Sequence, residues 1–499
     1  MIAIIDFGSQ YTKLIARRIR EFNVKSVIFP YDVKAKELSD FDGIILSGGP
    51  SSVYEKDAPF PEKEIIVSGK PILGICYGLQ VITSFFGGEV KKGVKREYGE
   101  KRFTHKGDEI FYGIPENSIV WMSHGDEIKK IPEKFEVIGF TDSNPFAAIK
   151  FKNIYGLQFH PEVTHTEYGR NIIENFVFRV VKAKKDWKDE DRIQEAINEL
   201  KKVKGKAILG ISGGVDSTLC AVLSKKVLGD NFLPVLVDTG LLRKWEVDEV
   251  IRFLKEIGVK IKVVDAKEIF LKELKGVKDP EKKRKIIGEK FIRIFEKEAK
   301  DFKAEYLIQG TLYPDRIESA GASKSSSKIK THHNVGGLPE RLNLKVVEPL
   351  KEFFKDEVRR MSRELGIPES IYSRHPFPGP GLAVRIIGEV NERRLNILRE
   401  ADHIYISSLK EEGLYEKIWQ AFAVLIPVRT VGVMGDLRTY DYVISLRAVI
   451  SEDGMTADAY NFDMKFLKDV GRKIINNVKG VNRVVYDVSS KPPSTIEWE

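Results

Sequence analysis

Short apolar runs alternate with longer amphipathic stretches along this chain, in a pattern that predicts three segments. Through residues 1–184, uninterrupted apolar runs at 2–5, 27–29, 43–46 and 72–75 read as strands, and a further strand-like run starts near Ile154. Brief apolar runs separated by amphipathic helices predict a buried parallel sheet with helices on its faces. A heavily charged stretch at 182–191 marks a junction. Residues 185–375 repeat the pattern, with a helix over 193–200 and strands at the apolar runs beginning at 207, 233, 261 and 306. The prolines and glycines of 374–381 forbid regular structure and open a third segment, 376–499. Its pattern predicts strands at 384–387, 423–427, 442–449 and 483–488 and helices over 392–410 and 464–478. The fold class is therefore α/β: two doubly wound α/β domains followed by a small α+β domain.

Two turns at predicted strand ends carry chemistry. The run from Ala207 ends in Ser212-Gly213-Gly214-Val215-Asp216-Ser217, followed by a helical pattern. A glycine turn at a helix N-terminus points backbone N–H groups at an anion, and phosphate fits there. No lysine follows Gly214, so this is not the usual P-loop. Asp216 stands there instead, and beside phosphates a bare carboxylate calls for a cation such as Mg²⁺ between them. The string alone is also compatible with a plain turn and a capping Ser or Asp.

The second turn, Gly74-Ile75-Cys76-Tyr77-Gly78, has the spacing of a nucleophile elbow. The helix N-terminus beyond Cys76 favours its thiolate. The N–H of Tyr77 and one from the Gly48-Gly49 turn are candidates for an oxyanion hole. Further on, Gln158-Phe159-His160-Pro161-Glu162 closes a strand-like run. In extended chain His160 and Glu162 share a face, so Glu162 can hold the imidazole's tautomer while the other nitrogen takes the thiol proton. His124 falls in an expected loop, and His105 and His165 look unremarkable.

Composition narrows the setting. The two cysteines, Cys76 and Cys220, cannot make a disulfide framework. No apolar run approaches a membrane span, and Met1-Ile2-Ala3-Ile4-Ile5 reads at once as strand, so a cytoplasmic protein is expected. The net charge of +9 is dispersed. Its tightest cluster, Lys282-Lys283-Arg284-Lys285, reads as a solvated helix face. Neither aromatic RNA-binding motifs nor a basic stripe is present, so no nucleic-acid partner is expected. Residues 310–339 carry little apolar pattern and read as a lid closing over phosphates. The adjacent His332 and His333 lack partners at metal-ligand spacing.

The Ser212–Ser217 string resembles the pyrophosphate loop of the N-type ATP pyrophosphatases, which split ATP between its α and β phosphates. The first 185 or so residues resemble class I glutamine amidotransferases. That likeness implies Cys76, His160 and Glu162 as the glutaminase triad, with Gln80 and Asp126 as candidates for holding glutamine. The two domains and the Lys491–Glu499 tail, in this order, resemble the glutamine-hydrolysing GMP synthase family over essentially the full length. The resemblance implies ATP, Mg²⁺, glutamine and xanthosine 5′-monophosphate (XMP) as substrates and cofactor. It implies XMP contacts from Arg284, Gln420, Lys491, Ile496 and Glu497, lid roles for Asp315, Glu318 and Lys330, and a homodimer formed through the C-terminal domain. Other enzymes on the same loop, making NAD or argininosuccinate or thiolating tRNA, are the rival readings. A thiolase would need a further reactive cysteine, and only Cys220 remains.

Overall fold

The apolar runs become parallel strands because burial on both faces leaves no room for alternation. In the computed structural model, which describes residues 1–315, 343–434, 437–451 and 456–499, the chain divides into two compact units, Met1–Asp191 and Arg192–Glu499.

In the first unit, β1 (Ile2–Asp6), β2 (Ser26–Pro30), β3 (Gly43–Leu46), β4 (Ile72–Ile75) and β9 (Ile154–Leu157) are the parallel part of one sheet. Four antiparallel strands extend it: β5 (Glu89–His105), β6 (Asn117–Lys130), β7 (Glu136–Thr141) and β8 (Ala148–Phe151). The order is β2-β1-β3-β4-β9-β8-β7-β5-β6. Strands β1, β3 and β4 are almost wholly buried, and β4 lies between β3 and β9, so Cys76 leaves the sheet well away from either edge. His124, expected in a loop, lies within β6 and is buried. Its strand buries Ser118, Val120, Met122 and His124 on one face; with two polar members, that face does not read as an apolar alternation.

In the second unit, β10 (Ala207–Gly210), β11 (Phe232–Asp238), β12 (Lys262–Asp265), β13 (Tyr306–Ile308) and β14 (Lys345–Val347) form a parallel sheet ordered β12-β11-β10-β13-β14. Among the described residues, a smaller sheet contains β15 (Gln420–Met434), β16 (Leu437–Ile450), β17 (Asp458–Ala459) and β18 (Val481–Asp487). Helices Glu392–Glu411 and Met464–Asn477 pack on it, and one continuous core joins both sheets, from Ile208 and Val235 to Leu398, Leu425 and Ile474.

Two expectations fail here. Residues 384–387 do not form a strand: Gly381–Arg385 is a 3₁₀ turn, and only Ile386 bridges Leu425. The carbonyls of Ala383 and Ile386 accept hydrogen bonds from Lys283 instead of a ladder (3.2 and 2.7 Å). Lys283 therefore does not sit on a solvated face; it is fully buried and pairs with Glu499. Burial lowers the proton affinity of its ammonium, and Glu499 counters only part of that. The tail is docked on the second unit, with Arg385 bidentate to Glu497 (3.0 and 2.7 Å) and Trp498 donating to Asp487 (2.9 Å).

Candidate active sites

Cys76 sits between β4 and helix Tyr77–Phe85 with φ 52° and ψ −102°, a strained conformation for a residue with a side chain. Neighbouring glycines make the turn possible. A Cβ on Gly78 would stand 2.3 Å from the Leu46 carbonyl oxygen, and one on Gly74 would stand 2.6 Å from the Gly78 carbonyl carbon. The backbone of Cys76 donates to Leu157 O (2.7 Å) and that of Gly78 to Ser47 O (3.0 Å). The helix start is thereby tied both to β9, which leads to His160, and to the Ser47-Gly48-Gly49 turn.

His160 and Glu162 follow β9, and His160 Nδ1 lies 2.7 Å from Glu162 Oε1. A Cβ placed on Gly48 would lie 3.1 Å from His160 Cε1 and 3.7 Å from Cys76 Cβ, so imidazole and thiol flank one point. Burial works against a charged imidazole. The Glu162 carboxylate and contact with the Cys76 sulfur outweigh it and raise the proton affinity of His160 well above that of an ordinary histidine. Arg18 Nε donates to the Glu162 carbonyl (3.2 Å). The group can accept a thiol proton and stabilise the imidazolium that results.

Gln80 is buried on the helix that Cys76 caps. Asp126 lies on β6 and accepts from Tyr54 Oη (2.8 Å). The ring of His124 binds the Asp126 carbonyl through Nδ1 (2.8 Å) and pairs with Glu97 through Nε2 (2.9 Å). Gly49 packs against Phe7, where a Cβ would meet Phe7 O at 2.7 Å.

In the second unit the loop from Ser212 to Ser217 follows β10 and opens helix Val215–Leu228. Gly213 has φ +84°, and Gly214 caps the helix in extended conformation. Ser217 Oγ receives the Ser212 N–H (3.2 Å) and contacts Ser212 Oγ (3.1 Å), while Thr218 donates to Gly214 O (2.9 Å). Val215 is buried. The turn is thus fixed by its own hydroxyls, leaving a glycine cradle at a helix N-terminus. The neighbouring turn after β11 is held by Arg399, which donates to Gly240 O (2.6 Å) and Leu242 O (3.1 Å).

Sequence reasoning missed two residues at the cradle. Lys355, opening helix Lys355–Glu364, puts its ammonium 2.5 Å from Asp216 Oδ2. Arg374 donates to Gly213 O (2.9 Å) and pairs with Glu249. Only three-dimensional contact brings them in, although Arg374 borders the proline-glycine stretch.

Of the expected XMP contacts, Gln420 Nε2 donates to Glu497 Oε1 (2.7 Å) and to Pro376 O (3.2 Å). Arg284 donates to the Glu499 backbone, Ile496 is buried against Phe422 and Val424, and Lys491 pairs its backbone with Ala457. Asp315 caps its own turn by accepting from Leu312 N (3.1 Å). Glu318 and Lys330 lie outside the described residues.

Three family models match this chain: class-I glutamine amidotransferase over residues 3–180, NAD synthase over 188–293, and the GMP synthase C-terminal domain over 407–498. A GMP synthase [glutamine-hydrolyzing] of Aquifex aeolicus is 58% identical over 506 residues, covering 100% of this chain and 99% of that one. Another, of Thermotoga maritima, is 55% identical over 505 residues and covers both chains in full. A third, of Chlorobaculum tepidum, is 53% identical over 512 residues, covering 100% and 99%. The chain belongs to the glutamine-hydrolysing GMP synthase family. Membership gives both halves of the molecule one purpose, and the NAD synthase match falls on the segment that carries the glycine cradle.

Proposed function

We propose how the steps of glutamine-dependent GMP synthesis are divided among named residues of this chain. The activity is the family's: glutamine is hydrolysed to ammonia, XMP is adenylated by ATP with release of pyrophosphate, and ammonia displaces AMP to give GMP. In our reading, residues 1–184 carry the amidotransferase, 185–375 the ATP pyrophosphatase and 376–499 the dimerisation and XMP-binding domain.

Cys76 attacks the glutamine side-chain amide, His160 takes the thiol proton and later gives it to the leaving ammonia, and Glu162 holds His160 in register. The backbone N–H groups of Tyr77 and Gly49 receive the oxyanion, and Gln80 and Asp126 hold the amino-acid end of the substrate. The 2.7 Å contact between His160 and Glu162, beside a strained Cys76, carries this part.

ATP lies with its phosphates on Ser212, Gly213, Gly214, Val215, Asp216 and Ser217. The residues fit Mg²⁺: Asp216 Oδ1 is buried with no hydrogen-bond partner among the described residues, an expensive state that a cation relieves. In this reading the ion is held by one carboxylate together with the substrate phosphates. When bound, Mg²⁺ supplies charge neutralisation of the phosphates. Arg284, Gln420, Lys491, Ile496 and Glu497 hold XMP, and Asp315, Glu318 and Lys330 belong to the lid. Ammonia must reach the adenylate unprotonated, because ammonium has no lone pair, so coupling the two reactions in one protein keeps the nucleophile usable.

A homodimer through the C-terminal domain is supported by the β15–β16 hairpin, whose Val428, Val431, Val433, Leu437 and Tyr440 are all more than half exposed. We place its action in the cytoplasm; among the described residues no helix is long and apolar enough to cross a membrane. The test of the division is Cys76→Ala. It abolishes synthesis from glutamine and retains synthesis from ammonium salts; loss of both would contradict the assignment.

A further inference from the structure

The Cys76 sulfur has a third neighbour besides the His160 ring and the Ser123 carbonyl. Gln158 Nε2 lies 3.8 Å from Sγ, the distance of an N–H···S hydrogen bond, and Ser123 O lies at the same distance. Gln158 has no exposed surface. Its backbone N–H is committed to Ala147 O (2.9 Å), and its side-chain oxygen Oε1 is buried with no hydrogen-bond partner among the described residues. The side chain next in the chain, Phe159, is also fully buried.

An amide in such a place has no structural justification. Burying it with one end unpaired costs free energy that an apolar side chain of the same length would avoid. Its remaining contact is to the Cys76 sulfur, and a thiol is among the weakest acceptors in a protein. The same N–H facing a thiolate makes a charge-assisted hydrogen bond, roughly twice as strong as a neutral one. The contact therefore gains strength only once the proton has left sulfur. The Ser123 carbonyl acts in the opposite sense, since it can accept from S–H but only repel S⁻. The two groups together hold the thiol at rest and receive the thiolate when it forms.

We infer that Gln158 is a further catalytic residue of the glutaminase half-reaction, its Nε2–H donating to the Cys76 thiolate. The step balances simply. The S–H bond breaks, the proton goes to His160 Nε2 (Nδ1 being engaged by Glu162), and the electron pair stays on sulfur under the Gln158 N–H until it attacks the glutamine carbonyl carbon. This inference rests on Cys76 being the nucleophile.

The test is the pH profile of Cys76 alkylation by iodoacetamide in the full-length protein, followed by the mass of the Cys76 peptide. Gln158→Met keeps length and apolar volume and removes the donor. Gln158→Glu keeps the shape and replaces the donor with an acceptor. The expected result is a profile displaced to higher pH in both variants, more in Gln158→Glu, with glutaminase kcat reduced about tenfold or more and KM little changed. A structural role would leave the profile where it is in the wild type and lower the melting temperature instead. Should Gln158→Met fail to fold, Gln158→Glu decides alone. A wild-type profile in the folded variants overturns the inference. Glutaminase activity surviving in Cys76→Ala would overturn the underlying assignment of Cys76, whatever the profiles show.

Discussion

Nδ1 of His160 stands 2.7 Å from Oε1 of Glu162, with both side chains almost wholly withdrawn from water. The carboxylate sets the imidazole's tautomer and, against the cost of burial, keeps its proton affinity well above the ordinary value. Glu162→Gln should lower glutamine-dependent synthesis by at least about a hundredfold, the scale of a mispositioned general base. Synthesis from ammonium salts is the control. The linkage has a definite sign. With the folded-state value raised, protonated His160 adds stability in full below the unfolded pKa, roughly 6.5, and that stability fades as pH rises through the folded value. Denaturant midpoints of the variant should show this dependence weakened, with only the Cys76 contact left to raise the value.

Gly78 lies against Leu46 so closely that a methyl group would meet the Leu46 carbonyl oxygen at 2.3 Å. Gly78→Ala should cost at least ~1–3 kcal/mol through forced backbone movement and disturb the Cys76 turn. Gly288 is the contrast: no described residue lies within 4 Å of its Cβ position, and it sits within helix Pro280–Phe302. Gly288→Ala should raise stability by ~0.5–1 kcal/mol. Thermal melting of the two variants checks both signs.

Asp216 offers one oxygen to Lys355 and keeps the other buried, with no partner among the described residues. Asp216→Asn removes the charge that a phosphate-bound cation would meet. The expectation is a rise of roughly ten- to a hundredfold in the Mg²⁺ concentration needed for half-maximal synthesis. A Mg²⁺ titration at fixed ATP with ammonium as nitrogen donor reads this; an unchanged midpoint would remove Asp216 from the metal's surroundings.

His375 is held neutral. Ala421 N donates to its Nδ1 (3.0 Å), its Nε2 meets the Tyr415 carbonyl (2.8 Å), and its ring stacks on Tyr415 at 3.7 Å. Burial pushes its pKa down to about 4, and the nearby Arg243 adds to that. The unfolded chain then binds the extra proton first. His375 therefore destabilises the second unit as pH falls from about 6.5 toward 4, by up to ~3 kcal/mol, and costs nothing above that window. His375→Gln should flatten this acid limb of the stability curve, measured by denaturant unfolding at stepped pH.

Legibility in the sequence followed how local each feature is. The Cys76 turn and the Ser212–Ser217 cradle are written in consecutive residues, because glycine positions and a helix N-terminus act over five or six positions. The same holds for β3 and β4, whose bounds match their apolar runs. The antiparallel strands β5 to β8 were not legible. Their faces mix charged and apolar side chains, and their pairing is set by neighbours far along the chain. Lys355 and Gln158 went unassigned for a related reason. A lysine opening a helix and a glutamine in a strand end look ordinary until Asp216 and the Cys76 sulfur are beside them. Residues 384–387 show local pattern losing to a tertiary demand, the buried ammonium of Lys283 claiming carbonyls that a strand would have used.

In our reading one chain joins a thiol-dependent source of ammonia to a cradle that cuts ATP between its α and β phosphates. Incubating the protein with ATP, Mg²⁺, glutamine and XMP and identifying the nucleotide products decides the matter. Equal amounts of GMP, AMP and pyrophosphate are the predicted outcome; ADP with inorganic phosphate would contradict it.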